Sequence, residues 1–228
     1  APRMKYEITA SGQTYNDKMR GIGPVFQALR YAMTGTGLLG LPAAPLRAYV
    51  CSRDGLASPD INISIVPFLV AEGFKLAKES GITVITHPLR SESTGSIHIG
   101  SPDSKSPPKI NFNFLTADYD RQITLAAMGI VRKILAAAPM ASMRGAEIAP
   151  GPALQADDEL LNWVRETAET TYHPIGTCKM GTDDRAVVDE KLRVRGIQGL
   201  RVADASIMPT LTSGNTNAPC IMIGEKAS

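Results

Sequence analysis

Aromatic residues are scarce in this chain. Phe, Trp and Tyr make up 5% of its 228 residues, and Trp163 is the single tryptophan. That scarcity weakens any recognition mode built on stacking, whether of nucleobases or of a quaternary ammonium in an aromatic cage. Charge of one sign is lacking too: 24 basic and 22 acidic residues leave a net charge of +2, and the basic residues are scattered. Without a basic stripe to track phosphates, nucleic acid is not expected as a partner. Cysteine is limited to Cys51, Cys178 and Cys220, an odd set without a CxxC pair. Such usage suits a reducing compartment, so the expected location is cytoplasmic. No apolar run reaches the roughly 18–20 residues that span a bilayer, so no membrane segment is expected. Both ends read as cut: Ala1 follows no leader pattern, and "IMIGEKAS" reads as the opening turns of a helix. There is no GxGxxG and no GxxxxGK[ST]; "GTGLLG" (35–40) follows a helical pattern rather than a strand. A dinucleotide, if one is used, has its main fingerprint outside this chain.

What is present is ordinary in bulk. A chain 43% hydrophobic and 20% charged can bury a sizeable core as one large domain or two small ones. "MKYEITA" (4–10), "LRAYVCS" (46–52) and "INISIVPF" (61–68) have strand character. A helix is expected over 16–33, with Asn16 and Asp17 at its start and Phe26, Leu29, Ala32 and Met33 at helical spacing. "ITVITHP" (82–88), "GSIHIGS" (95–101) and "KINFNFL" (109–115) follow in series without helices between them, which implies antiparallel pairing. All four strands from 61 onward are expected in one sheet. A long helix over 118–138 would pack on it through a stripe of Ile123, Ala127, Ile130 and Ile134, with Pro139 ending the helix. A loop over 144–156 and a helix over 157–168 capped by Asp157 come next. The last stretch gives a short strand (200–203), an Asp-Ala-Ser bend, a polar loop and a helix opening near Ala218 and Pro219.

The histidines number three. His87 precedes Pro88 at a strand end, and His98 alternates with Ile97 and Ile99; both read as structural. His173, in "YHPIGTCKMG" (172–181), sits in a loop, where functional groups concentrate. Three readings compete for it: a base, a metal ligand with Cys178, or a residue of a turn. Five residues from His173 to Cys178 is not a zinc spacing, and a fourth ligand is lacking, so no metal is expected. "TSGNTNAP" (212–219) offers amides and hydroxyls beside a helix N-terminus, where free N–H groups favour negative charge.

Taken in order, "YHPIGTCKMG", "VVDEKLRVRGIQGLRVADASIMP" and "SGNTNAPCIMIGE" resemble the C-terminal end of the glucose–methanol–choline (GMC) oxidoreductases. "THPLRSESTGSIHIGSPDSKSPPKINFNFL" resembles that family's strand-rich substrate domain, and "TYND" (14–17) and "SPDINISIVPF" (58–68) fit more loosely. The resemblance is most specific over 172–224. It implies an α+β fold: a mostly antiparallel sheet packed with helices as a substrate-binding domain (1–182), and a C-terminal strand–loop–helix (183–228) belonging to the FAD-binding domain. It also implies a longer flavoenzyme, with roughly 300 residues upstream by analogy carrying the Gly-rich fingerprint. That missing domain would be the partner of this one, and residues 1–228 alone would not retain FAD.

The resemblance puts the family's active-site histidine on His173, as base toward an alcohol hydroxyl, and its second position, a His or Asn, on Asn215. The flavin contacts fall on Asp204, Ala205, Asn217, Ala218 and Pro219. The implied function is FAD-dependent oxidation of a small primary alcohol, choline-like or other, to an aldehyde. Imidazole suits a base working near neutral pH, and an amide N–H can steady a developing alkoxide. The competing reading is a flavin-less module that binds a ligand or partner through its sheet.

Overall fold

The computed structural model describes residues 1–10, 12–71 and 75–228. In chain order its elements are β1 (Arg3–Ile8), α1 (Tyr15–Lys18), α2 (Gly23–Thr34), β2 (Leu46–Val50), β3 (Ile61–Val66), β4 (Gly81–Pro88), β5 (Ser96–His98), β6 (Lys109–Asn111), α3 (Asp118–Ala136), α4 (Ala138–Ala141), β7 (Arg144–Ala149), α5 (Asp157–Thr167) and α6 (Asn217–Ala227). They divide into two compact units: Ala1–Pro88 with Gln122–Glu169, and Leu89–Arg121 with Thr170–Ser228.

The first unit is a five-stranded sheet in the order β2-β3-β4-β1-β7. Every neighbouring pair is antiparallel. Strand period puts Met4, Tyr6, Ile63, Ile82 and Val84 on one face, and all five are buried. Val131, Ile134 and Leu135 of α3 line an apolar cleft with Ile63, Ile65 and Val84 of that face. The expected mixture of helices and antiparallel sheet is what the chain forms.

Polar groups close this core as well. Arg132 of α3 grips Glu147 of β7 with two hydrogen bonds of 3.1 and 2.8 Å, and the Tyr6 hydroxyl donates to the same carboxylate at 3.0 Å. Burial first, and the neighbouring carboxylate second, push the Tyr6 phenol well above its ordinary range, so it stays a donor. Asn16 is buried but satisfied: its Nδ2 donates to the carbonyls of Leu69 and Ala77, and its Oδ1 accepts from the Leu69 N–H. Thr14 and Asp17 cap α1 reciprocally.

Several local expectations are corrected. The helix expected over 16–33 is two helices, broken at Gly21 and Ile22. None of the apolar residues of α2 is buried: Phe26, Leu29 and Met33 are all exposed. The buried stripe of α3 is Ile123, Ala127, Met128, Val131 and Leu135, while Ile130 is half-buried and Ile134 is 38% exposed. The helix rests on the four-residue ridge from 123 to 135, and the 130/134 positions flank it. β7 occupies the front of the expected 144–156 loop, where Ala146 and Ile148 supply an alternation interrupted by charges. Asp157 is the first residue of α5 rather than its cap, which is Ala156.

The strands expected at 95–101 and 109–115 do not join the large sheet. β5 and β6 form a separate antiparallel ribbon of three residues a side. Pro107 and Pro108 lack the N–H groups a longer ladder needs, and beyond β6 the backbone turns left-handed at Asn113 and Leu115. The strand expected at 200–203 is also absent: that stretch makes one isolated bridge, Arg193 to Arg201.

The second unit has its own core of Val188, Ile207, Met208 and Ile223, with Ile175, Met180, Leu192, Val194, Val202 and Ala205 packed around it. At the start of α3, Asp120 is 2% exposed and ties down the preceding loop. It accepts from Ser91 Oγ at 2.6 Å and from the N–H groups of Glu92 and Ser93 at 2.9 Å each. Burial pushes its carboxyl up, but the donors from Ser91, Ser93 and Glu92 together outweigh it and hold the group below the usual carboxylate range.

Two stability predictions follow from these clusters. Glu147→Ala strands a guanidinium and a phenol, and should destabilise the chain by about 3 kcal/mol in urea unfolding; a loss under about 1 kcal/mol would show that water replaces the carboxylate freely. Asp120→Ala should cost about 2–3 kcal/mol at pH 7. Because the folded carboxyl is held below its unfolded value, that advantage is complete above roughly pH 4. It is lost as pH falls through the folded value. The gap between wild type and variant should therefore narrow as the solution is made acid, and a gap that stays constant as pH falls below the ordinary carboxylate range would refute the assignment.

Candidate active site

Three stretches of the second unit meet: the 172–181 loop, the 204–208 turn and the 212–219 loop. The first two are joined by backbone. Cys178 N–H donates to Ser206 O at 2.9 Å and Met180 N–H to Ile207 O at 2.8 Å. Ile175 and Met180 from the first stretch, and Ile207 and Met208 from the second, share the apolar core beneath. Gly176 makes the approach close. Its φ is +82°, and a Cβ there would lie 3.3 Å from Met208 O. The third stretch ends in α6, whose Ile223 returns to the same core. Arg90 Nη1 donates to Ser213 Oγ at 2.8 Å, holding the loop just ahead of Asn215.

The consequence is a contact that sequence distance hides. Asn215 Nδ2 lies 2.7 Å from His173 Nε2 across 42 residues. On the other side of the ring, His173 Nδ1 lies 3.0 Å from Thr216 Oγ1. An amide NH2 only donates, so Nε2 accepts, and in the neutral ring Nδ1 then carries the hydrogen and gives it to Thr216. The Thr216 N–H also lies 3.5 Å from Nδ1, at the outer limit of bonding, and the two shorter contacts set the tautomer. His173 is half-buried and Asn215 exposed, so the Nε2 edge faces an accessible position. Among the described residues no group of three or more His, Cys, Asp or Glu is placed to hold a metal.

The backbone entering the histidine is unusual. Tyr172 has φ +62°, a left-handed conformation that costs a non-glycine residue roughly 1–2 kcal/mol. Its side chain is 69% exposed, so packing of the ring does not repay that cost.

The other residues singled out lie in the 204–208 turn and the first turn of α6. Asp204 is exposed, and its Oδ1 accepts from Ser206 N at 2.8 Å and Ser206 Oγ at 2.5 Å, capping the turn that contains Ala205. Asn217, Ala218 and Pro219 form the first turn of α6, with Asn217 and Ala218 exposed. Thr216 lies within the 215–219 stretch on which the resemblance puts flavin contacts, but no contact with His173 was expected of it. A threonine ahead of a proline-marked helix start reads as a cap, and nothing in the sequence says which partner its hydroxyl takes.

Known proteins share this arrangement of chain. The GMC oxidoreductase family model, for the C-terminal domain, matches residues 91–224. An oxygen-dependent choline dehydrogenase of Brucella ovis is 43% identical over 184 residues, 79% of this chain and 34% of that protein. The chain thus spans about a third of the length of the curated relatives it matches. Among solved structures, pyridoxine 4-oxidase from Mesorbium loti is 29% identical with a TM-score of 0.74, over 81% of this chain and 37% of that one. A formate oxidase of Aspergillus oryzae RIB40, described for its FAD modification, has a TM-score of 0.88 over 99% of this chain and 44% of that one; at 22% identity it shows the shared fold.

Gly176→Ala tests the closeness of the first two stretches. It forces a side chain into a left-handed residue against a carbonyl, and should destabilise the chain by about 1–2 kcal/mol. A variant as stable as wild type in urea would mean that the loop does not need that approach.

Proposed function

The chain belongs to the GMC oxidoreductase family, and on that premise we propose that it is the substrate-handling part of an FAD-dependent oxidoreductase that converts a primary alcohol, choline-like or other, to an aldehyde. His173 is the base, and Asn215 is the donor that holds the alcohol oxygen. The observation that carries this reading is the 2.7 Å approach of His173 Nε2 and Asn215 Nδ2. A basic lone pair and an amide N–H converge on one accessible point, and an alcohol oxygen needs both.

The chemistry assigned to this chain is short. A hydroxyl that displaces the direct contact between Asn215 Nδ2 and His173 Nε2 donates its hydrogen to Nε2 and accepts from Asn215 Nδ2. As the carbon–hydrogen bond breaks, the oxygen's proton passes to Nε2, and the Asn215 N–H offsets charge on the oxygen until the carbonyl forms. FAD, when bound, supplies the two-electron acceptor for the hydride. The residues present suit such a group: the first turn of α6 is open at Asn217 and Ala218 with small side chains, and its amide N–H groups favour an acceptor that gains negative charge. Asn217, Ala218 and Pro219 would hold the ring side, and Asp204 and Ala205 the ribityl side. On this reading residues 1–182 shape the substrate pocket and 183–228 return to the flavin-binding domain, which is the partner of this chain.

The described helices include none long and apolar enough to cross a membrane. The three cysteines are unpaired, which supports the proposed cytoplasmic location.

The test uses the flavin-loaded protein and anaerobic mixing with an alcohol panel. His173→Ala should slow flavin reduction by about 10²–10⁴ while leaving substrate affinity within a few fold. Asn215→Ala should slow it less, because a hydrogen bond is lost and the base is kept. A His173→Ala rate within about threefold of wild type would overturn the base assignment.

A further inference from the structure

Thr216 stands at the N-cap of α6, a position where threonine ordinarily turns its hydroxyl onto the helix's own free N–H groups. Here it does not. Its backbone is in the right-handed helical region, φ −84° and ψ −5°, instead of the extended conformation a capping side chain needs, and no side-chain cap hydrogen bond forms. The hydroxyl is directed to His173 Nδ1 at 3.0 Å. The residue is 7% exposed, so water does not compete freely for that oxygen. The Thr216 carbonyl meanwhile accepts from Cys220 N–H at 2.9 Å, which fixes the residue to the first turn of α6.

We propose that Thr216 is the positioning residue of the His173 base: its buried hydroxyl accepts from Nδ1–H, holds the ring in the tautomer that the Asn215 amide also favours, and so aims the Nε2 lone pair at the point shared with Asn215. The proposal rests on the reading of His173 as base and deepens it. A neutral imidazole has two tautomers, and only the one protonated at Nδ1 has a free lone pair at Nε2. A hydroxyl that accepts from Nδ1 favours that form. It also keeps accepting after Nε2 takes up the substrate proton, because Nδ1–H is present before and after the transfer. The bond becomes charge-assisted at that moment, so it is stronger in the state that follows proton transfer than in the state before. The helix forgoes a cap, and the base gains an orienter of the kind that fixes catalytic imidazoles elsewhere.

Thr216→Val removes the hydroxyl and keeps the β-branched shape; Thr216→Ser keeps the hydroxyl. In the flavin-loaded protein, Thr216→Val should lower the limiting rate of flavin reduction about tenfold, a single hydrogen bond's worth, with substrate affinity within twofold. Thr216→Ser should stay within about threefold of wild type. A role in folding alone would lower flavin content and leave the rate per bound flavin unchanged. The second readout needs no flavin. In the 228-residue chain, nitrogen-15 spectra of its three histidines should show His173, identified by its loss in His173→Asn, protonated at Nδ1 in its neutral form, with that preference weakened in Thr216→Val, where Asn215 alone still favours it. A wild-type ring protonated at Nε2, or equal reduction rates for the valine and threonine proteins, would overturn the proposal. If the tautomer responds to Thr216 but His173→Ala still reduces flavin at the wild-type rate, the positioning contact stands and the base reading fails.

Discussion

Everything at the candidate site depends on one short run of backbone pairing: Cys178 and Met180 bonded to Ser206 and Ile207. The two bonds are worth little singly, about 1 kcal/mol each. Their effect is geometric. They seat the His173 loop on the turn that leads, within ten residues, into the loop carrying Asn215 and Thr216. Met180, Ile207, Met208 and Ile223 sit directly beneath in one apolar cluster, so the pairing and the packing reinforce each other. Slipping the ladder by one residue would expose part of that cluster and carry His173 away from both of its partners. The histidine's position is thus a consequence of where methionine and isoleucine side chains are buried.

Two features of this region run against local stability. Tyr172 is left-handed without being glycine, and α6 begins without the side-chain cap its threonine could provide. A chain selected for stability alone would relieve both at little cost, with glycine at 172 and an extended cap at 216. Both departures adjoin His173, one along the chain and one through its ring. Strain and forgone capping gathered around one imidazole fit the proposed oriented base better than a plain turn residue.

The sequence was informative where side-chain period alone decides the structure. The run "KYEI", the alternation in "INISIV" and the long amphipathic stretch from Asp118 all became the elements they suggest, the first and last by burying one face, while "INISIV" also buries its polar alternates Asn62 and Ser64. It misled where burial is settled by partners distant in the chain. Phe26, Leu29 and Met33 carry a helical period without a buried face. Ile97 and Ile110 carry a strand period on a ribbon that stays out of the large sheet. At the site, the residues His173 and Asn215 were legible through resemblance, and their convergence followed from two loops joined by a returning stretch. The contact with Thr216 was not legible. It depends on a backbone angle at the cap, and a threonine hydroxyl serves a helix or a histidine with equal chemistry.

The division of labour implied by this geometry bears on substrate choice. On the proposed reading, His173, Asn215 and Thr216 would act on a hydroxyl group and the proton it loses, which every primary alcohol shares, so they would supply reactivity without discriminating among alcohols. Discrimination has to come from groups that touch the remainder of the molecule, and an enzyme gains selectivity there by contacts made or denied away from the reacting atoms. A choline dehydrogenase and a pyridoxine 4-oxidase resemble this chain at 43% and 29% identity, and their names refer to different substrates. The core beneath the site is set by packing among Val188, Ile207, Met208 and Ile223, and a substrate's shape does not reach residues buried there, so the demands of that packing and the demands of substrate choice fall on different side chains.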